Sequence, residues 1–205
     1  MRRGSVSVLL ATGSISTATA LVRAGQIPLR SVAATPESLA DGRVWLLATS
    51  AILADRPAVA SILGFLVVGL AAVRLCGTRA AWLAAATGHV LSALVVYVAL
   101  GLVRAVEPSA FEHVLNLPDY GTSAVVAAWI GAIAYGVWRH GRRLGAAALV
   151  VVSALLGWYF KGSLTVLDAE HAVALACGVG AMRWTPATGL LPRARRLALN
   201  HSSVP

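Results

Sequence analysis

The chain contains six long apolar stretches, and the segments between them hold most of its charge. A helix needs about 17–25 apolar residues to cross a bilayer, because it rises about 1.5 Å per residue through about 30 Å of hydrocarbon. Charged residues make up 12% of the chain, against about 25% in an ordinary soluble domain. The sequence therefore predicts an all-α membrane protein of one compact unit. Its six predicted transmembrane helices cover residues 5–22, 57–75, 81–103, 121–138, 144–160 and 168–182.

The first stretch has two interpretations. Two arginines precede it, and Ala18-Thr19-Ala20 near its end is typical of a signal-peptide cleavage site. Residues 1–22 are therefore predicted to be either a first transmembrane helix or a cleavable signal peptide. The remaining predicted parts are an outer loop at 23–56, five further helices at 57–182 and a basic cytoplasmic tail at 183–205.

The placement of charge predicts the orientation. Of the 17 basic residues, 11 fall in segments that lie inside if the N-terminus does, and all eight acidic residues fall on the other side. Cytoplasmic segments of membrane proteins are enriched in arginine and lysine. We therefore expect a multi-pass protein of the plasma membrane with both termini cytoplasmic. The net charge of +9 fits attraction to anionic lipid, and the chain has no nucleic-acid-binding motif that would indicate such a partner.

The first outer loop contains a short apolar segment that follows Arg43. Its length, residues 44–53, is too small to span a bilayer. The sequence therefore predicts an interfacial or re-entrant helix there, with Trp45 at the level of the lipid headgroups.

Two polar residues lie at matched depth in the predicted helices. Ser123 is just inside the outer end of the fourth stretch, and His171 is just inside the outer end of the sixth, which runs in the same direction. Polar residues within membrane helices are costly and usually face a protein interior or a water-filled cavity. A serine activated by a histidine base is a nucleophile for acyl transfer. A helix-capping serine and a solvated histidine are the structural alternatives.

Small residues follow both positions. Ala127 with Gly131, and Ala174 with Gly178, have the i, i+4 spacing that lets membrane helices pack backbone to backbone. We therefore expect the fourth and sixth helices to lie close together.

These residues resemble the rhomboid intramembrane serine proteases, over about residues 39–182. The segment Gly121-Thr122-Ser123-Ala124 resembles their Gly-x-Ser motif on the fourth of six helices. His171, followed by Ala174 and Gly178, is similar to their sixth-helix histidine. The segment 43–50 loosely resembles the Trp-Arg segment of their first outer loop, and the whole is closest to a divergent, actinobacterial-type rhomboid-like branch.

The resemblance implies a six-helix rhomboid-like bundle that cleaves single-span membrane proteins. Ser123 would be the nucleophile and His171 the general base, with Gly121 supporting the site. Many rhomboids carry a His and an Asn on the second helix as oxyanion donors, whereas residues 57–75 have neither. His89 is the candidate replacement, with Ser61 as a further candidate, and Tyr159 would stack on the His171 ring.

Two alternative functions stay open at this point. The first is a catalytically inactive rhomboid-like protein that binds membrane clients, and the second is a small membrane transporter with His89 on its path. The sequence contains no HExxH, CxxC or phosphate-loop motif, so we expect no metal and no cofactor. Cys76 and Cys177 are predicted to be free thiols.

Overall fold

The computed structural model describes residues 3–161 and 166–185, without the side chains of residues 112–113, 156–161 and 166–167. Within these ranges the regular elements are helices, and there is no strand. A 3-10 turn at Leu29–Ser31 precedes the second helix. The α-helices are α1 (Arg3–Arg23), α2 (Pro36–Ala40), α3 (Leu46–Ser50), α4 (Ala58–Leu75), α5 (Thr78–Val106), α6 (Glu112–Leu115), α7 (Ser123–Arg139), α8 (Arg143–Lys161) and α9 (Val166–Trp184).

The six long helices, α1, α4, α5, α7, α8 and α9, lie where the apolar stretches predicted them. Three of them, α1, α4 and α5, are both long and apolar enough to cross a membrane. Helix α7 is apolar but has 17 residues, which is close to the shortest length that spans. The all-α class is confirmed, and the protein has helices suited to a membrane.

The core forms around Trp129, in the middle of α7. Its side chain is fully buried, and its ring centroid lies 4.8 Å from that of Phe65 and 5.8 Å from that of Trp82. The indole Nε1–H donates to the carbonyl oxygen of Ala81 over 2.8 Å, so the buried polar group is satisfied. Gly69 on α4 faces the Trp129 ring so closely that even a Cβ atom would lie 2.8 Å from it. One large side chain thus fixes how α4, α5 and α7 meet.

Helix α1 packs into this core. Val8 and Ile15 are buried, and the indole N–H of Trp82 donates to Ser7 Oγ over 2.9 Å. Thr19 Oγ1 accepts from the main-chain N–H of Ala54, also over 2.9 Å. Through these contacts α1 packs against α4, α5 and the segment that follows α3. Whether residues 1–22 are a transmembrane helix or a cleavable signal peptide stays open.

The bundle has two ends that we name by their residues. The α3 end holds α3, the segment 119–122 and the start of α9, and the arginine end holds the last turns of α7 and α9. At the α3 end, the main-chain groups of Ala34 and Asp119 pair reciprocally, and the Gly121 N–H donates to the Ser50 carbonyl over 3.1 Å. The long first loop is therefore tied by its backbone to the segment that precedes α7.

The short apolar segment of that loop is helical over fewer residues than its apolar length suggested. Helix α3 has five residues, and Leu46, Leu47 and Ser50 are buried among the long helices. Trp45, which comes directly before α3, is 58% exposed. The segment thus buries Leu46, Leu47 and Leu53 at the α3 end of the bundle and leaves Val44, Trp45 and Ile52 exposed.

Candidate functional site

Helices α7 and α9 are in direct backbone contact. A Cβ added to Gly178 would overlap the carbonyl oxygen of Ala128, and one added to Gly131 would overlap the carbonyl oxygen of Leu175. Ala124, Ala128 and Ala174 form a small buried cluster beside these glycines. The close packing that the small residues predicted is therefore confirmed.

This contact positions the N-terminal ends of both helices. His171 precedes Leu175 by one helical turn and so shares its face of α9. Ser123 is the first residue of α7, is half-buried, and adjoins Ala124 of the buried cluster. Both predicted catalytic residues thus lie at the α3 end, at the starts of two helices that touch.

The His171 ring lies close to an acidic residue of its own helix. Its Nδ1 is 4.0 Å from Asp168 Oδ1, an ion-pair distance. Among the hydrogen bonds of the described residues there is none between Ser123 Oγ and the His171 ring. That Ser123 and His171 act as a catalytic pair therefore stays a prediction, which rests on their positions at the N-terminal ends of two helices in contact.

The turn before Ser123 is tightly built. Gly121 has a φ of 134°, a left-handed conformation that favours glycine. The carboxylate of Asp55 lies directly against its Cα, in the space that a Cβ would occupy. Thr122 is fully buried, and its Oγ1 is 3.1 Å from Ser61 Oγ on α4. The supporting role predicted for Gly121 thus has a steric basis, and Ser61 lies within reach of the residue next to Ser123.

His89, predicted as an oxyanion donor, contacts α3. Its Nε2 is 2.8 Å from the Leu47 carbonyl oxygen and 3.1 Å from Ser50 Oγ, and the side chain is 94% buried. A carbonyl oxygen only accepts, so Nε2 carries the hydrogen. Ser50 and His89 therefore do not form a nucleophile–base pair, although they are in hydrogen-bond contact. His89 Nδ1 is buried without a hydrogen-bond partner among the described residues.

A second polar network joins α5, α9 and the segment before α7. Glu170, which is only 3% exposed, accepts a hydrogen bond from Ser92 Oγ over 3.3 Å, and its carboxyl is in contact with that of Asp119. Asp119 in turn accepts from the Tyr97 hydroxyl. The sequence reasoning missed this network, because it used the acids only to assign the orientation.

The signal that reveals Glu170 is its helical register. Glu170, Ala174 and Gly178 are spaced by four residues, so the glutamate continues the small-residue face of α9 toward the α3 end. An acid on a face that packs against other helices is expected to be buried and paired.

The remaining predicted residues are placed as follows. Tyr159 lies in α8, and its side chain is outside the described part of the chain, as is the whole arginine-rich tail at 193–196. Cys76 and Cys177 are free thiols, as predicted. The described residues include no group of three His, Cys, Asp or Glu side chains arranged to hold a metal ion.

No protein-family model, curated protein or solved structure matches this chain. The resemblance to rhomboids thus rests on the residues and spacings quoted above.

Proposed function

We propose that the protein is a rhomboid-type intramembrane serine protease with six transmembrane helices. The observation that carries the proposal is the backbone contact between α7 and α9. Ser123 is the first residue of α7, and His171 lies in the second turn of α9. The plasma-membrane location, the cytoplasmic termini and the single-span membrane substrates belong to the same proposal. They are supported by the placement of the arginines and acids along the chain.

In the proposed reaction, Ser123 Oγ attacks the carbonyl carbon of the scissile peptide bond while His171 takes the hydroxyl proton. His171 then gives this proton to the leaving amine, and water hydrolyses the acyl-enzyme. Asp168, near Nδ1, favours the tautomer with hydrogen on Nδ1, which leaves Nε2 as the base.

The oxyanion would form next to the start of α7. The first N–H groups of a helix have no acceptor within the helix, so the Ser123 amide is available as a donor. Ser61, which is linked to the residue before Ser123, is the candidate for a second donor.

The test is covalent labelling of the purified, detergent-solubilised protein with a fluorophosphonate probe. We expect labelling of the parent and loss of labelling in Ser123→Ala and His171→Ala. Ser153→Ala is the matched control, because this serine lies on α8 and its hydroxyl donates to its own helix. An unlabelled parent, or a Ser123→Ala variant that labels normally, would overturn the protease proposal.

A second candidate is an inactive rhomboid-like protein that binds membrane clients. It is favoured by the sequence of residues 57–75, which contains neither the His nor the Asn that many rhomboids use as oxyanion donors. It predicts that a single-span client crosslinks to α7 and α9 equally well in the parent and in Ser123→Ala, with no cleavage in either. Solute flux in proteoliposomes that is lost in His89→Ala and kept in Ser123→Ala would instead favour transport.

A further inference from the structure

Two arginines from different helices share one aromatic ring at the arginine end. Arg139 closes α7 and Arg183 lies in the last turn of α9, and their Cζ atoms are 6.0 Å and 5.8 Å from the Tyr135 ring centroid. Both distances are within the range of cation–π attraction. Since each lies about 6 Å from the same point, the two guanidinium groups are no more than about 12 Å apart.

A third arginine of the arginine end stacks on a different ring of α7. The Arg143 Cζ lies 5.7 Å from the ring centroid of Trp138, which is half exposed. A guanidinium that stacks on a ring keeps N–H groups at its edge, where they can donate to the oxygens of a phosphate. The Tyr135 ring therefore holds two of these guanidinium groups and the Trp138 ring holds the third. Tyr135 and Trp138 are three residues apart on α7, so the two rings lie on the same side of the helix.

The protein supplies no opposite charge at this end. The sequence has no acidic residue before Glu37, between Asp55 and Glu107, between Asp119 and Asp168, or after Glu170. The segments that reach the arginine end, including the first turns of α1 and α5, therefore contain none. Positive charge without a protein partner attracts an anion from the surroundings.

Apolar side chains border these arginines. Leu144 and Trp184 are each 88% exposed, and they follow Arg143 and Arg183 directly in the chain. Exposed tryptophan beside arginine is typical of the level of the lipid headgroups in a membrane protein. The expected anion is therefore one that has hydrocarbon attached.

We propose that Arg139, Arg183 and Arg143 form a binding site for the phosphate of an anionic phospholipid such as phosphatidylglycerol. Arg139 and Arg183 bind the phosphate from α7 and α9, and Arg143 binds from the start of α8. The site lies at the end of the bundle opposite Ser123 and does not depend on the proposed proteolysis.

The test measures retention of phosphatidylglycerol, relative to phosphatidylcholine, by native mass spectrometry of the protein released from mixed vesicles. Arginine near an anionic surface contributes about 1 kcal/mol, so Arg139→Gln with Arg183→Gln is expected to weaken phosphatidylglycerol binding about tenfold or more. Arg74→Gln with Arg79→Gln is the matched control. It removes two exposed arginines at the same end of the bundle for which no ring contact is described.

Selective loss in the Arg139/Arg183 variant supports the site. An equal loss of phosphatidylglycerol binding in both double variants would show diffuse attraction by surface charge and would overturn the proposed site. Unchanged binding in both double variants would also overturn it. Protection from thermal unfolding by inorganic phosphate as strong as that by phosphatidylglycerol would overturn the lipid as the occupant. If the double variant does not fold, Arg139→Gln and Arg183→Gln are measured singly, and unchanged binding in both would overturn the proposal.

Discussion

Gly178 lies directly on the backbone of Ala128, with no space between them for a methyl group. Membrane helices gain little from the hydrophobic effect when they associate, so close backbone packing is a main source of their stability. We expect Gly178→Ala to lower the free energy of unfolding by about 1–3 kcal/mol, because the added carbon forces the helices apart. Thermal unfolding in detergent measures the change.

The control for this substitution is on the same helix. Gly180 has nothing within 4 Å of an added Cβ, so Gly180→Ala is expected to leave stability unchanged or raise it slightly. Equal melting temperatures for the Gly178 and Gly180 variants would contradict the described contact. The Gly178 variant should also label more slowly with the fluorophosphonate probe, since it displaces the helix that carries His171.

Gly121 is expected to tolerate no other residue, for two separate reasons. Its φ of 134° is unfavourable for residues with a Cβ, and the Asp55 carboxylate occupies the space that the Cβ would need. Gly121→Ala should therefore reduce stability and stop labelling of Ser123, two residues further on. Gly141→Ala is the control that isolates the effect of backbone conformation. Gly141 also has a positive φ, of 80°, but an added Cβ there would meet no other atom within 4 Å.

If Gly121→Ala loses no more thermal stability than Gly141→Ala, the backbone conformation alone accounts for the loss, and the Asp55 carboxylate does not contribute to it. The double variant Gly121→Ala with Asp55→Ala should recover part of the lost stability, because it removes the overlapping carboxylate. Thermal unfolding of the four proteins decides between these outcomes.

His89 is expected to stabilise the position of α3. Its Nε2–H bonds the Leu47 carbonyl at 2.8 Å, and removing the ring leaves a buried acceptor without a partner. His89→Ala should lower the free energy of unfolding by about 1–3 kcal/mol, and Ser50→Ala by about 1 kcal/mol. Unfolding in denaturant gives both values.

The labelling rate of the folded protein tests whether His89 also acts in catalysis. We expect this rate to change little in His89→Ala, because the nitrogen that would donate to an oxyanion is bonded to α3. A drop of about a hundredfold in a sample that is fully folded would instead assign His89 to the oxyanion site.

Glu170 is expected to respond to shape and hydrogen bonding more than to charge. In Glu170→Gln the amide oxygen can still accept from Ser92 and the amide nitrogen can donate to Asp119, so we expect stability close to that of the parent. Glu170→Leu leaves Ser92 and Asp119 without this partner and should lower stability by about 1–3 kcal/mol. Thermal unfolding measures both variants. Equal melting temperatures for Glu170→Gln and Glu170→Leu would contradict the described hydrogen bonds of Glu170.

The helices were predictable because their signal is local. The apolar stretches gave the six long helices to within about three residues at each end, and small residues spaced by four gave the α7–α9 contact. Each of these signals lies within one segment and reflects helical geometry and the thickness of a bilayer.

The polar contacts at the α3 end were not predictable in the same way. The partners Ser50 and His89 are 39 residues apart, and Ser92 and Glu170 are 78 apart. Which polar side chains meet depends on how the helices are rotated and on where the first loop folds back. No local pattern encodes these relations, so the sequence located Ser123 and His171 but not the buried acid next to them.

The ties between the first loop and the segment 119–121 are made by main-chain groups, through Ala34, Asp119, Ser50 and Gly121. Every residue type other than proline provides these donors and acceptors. Substitutions on the exposed surface of the loop are therefore expected to leave these ties intact. The position of the start of α7 is in this respect independent of which side chains the loop presents to its surroundings.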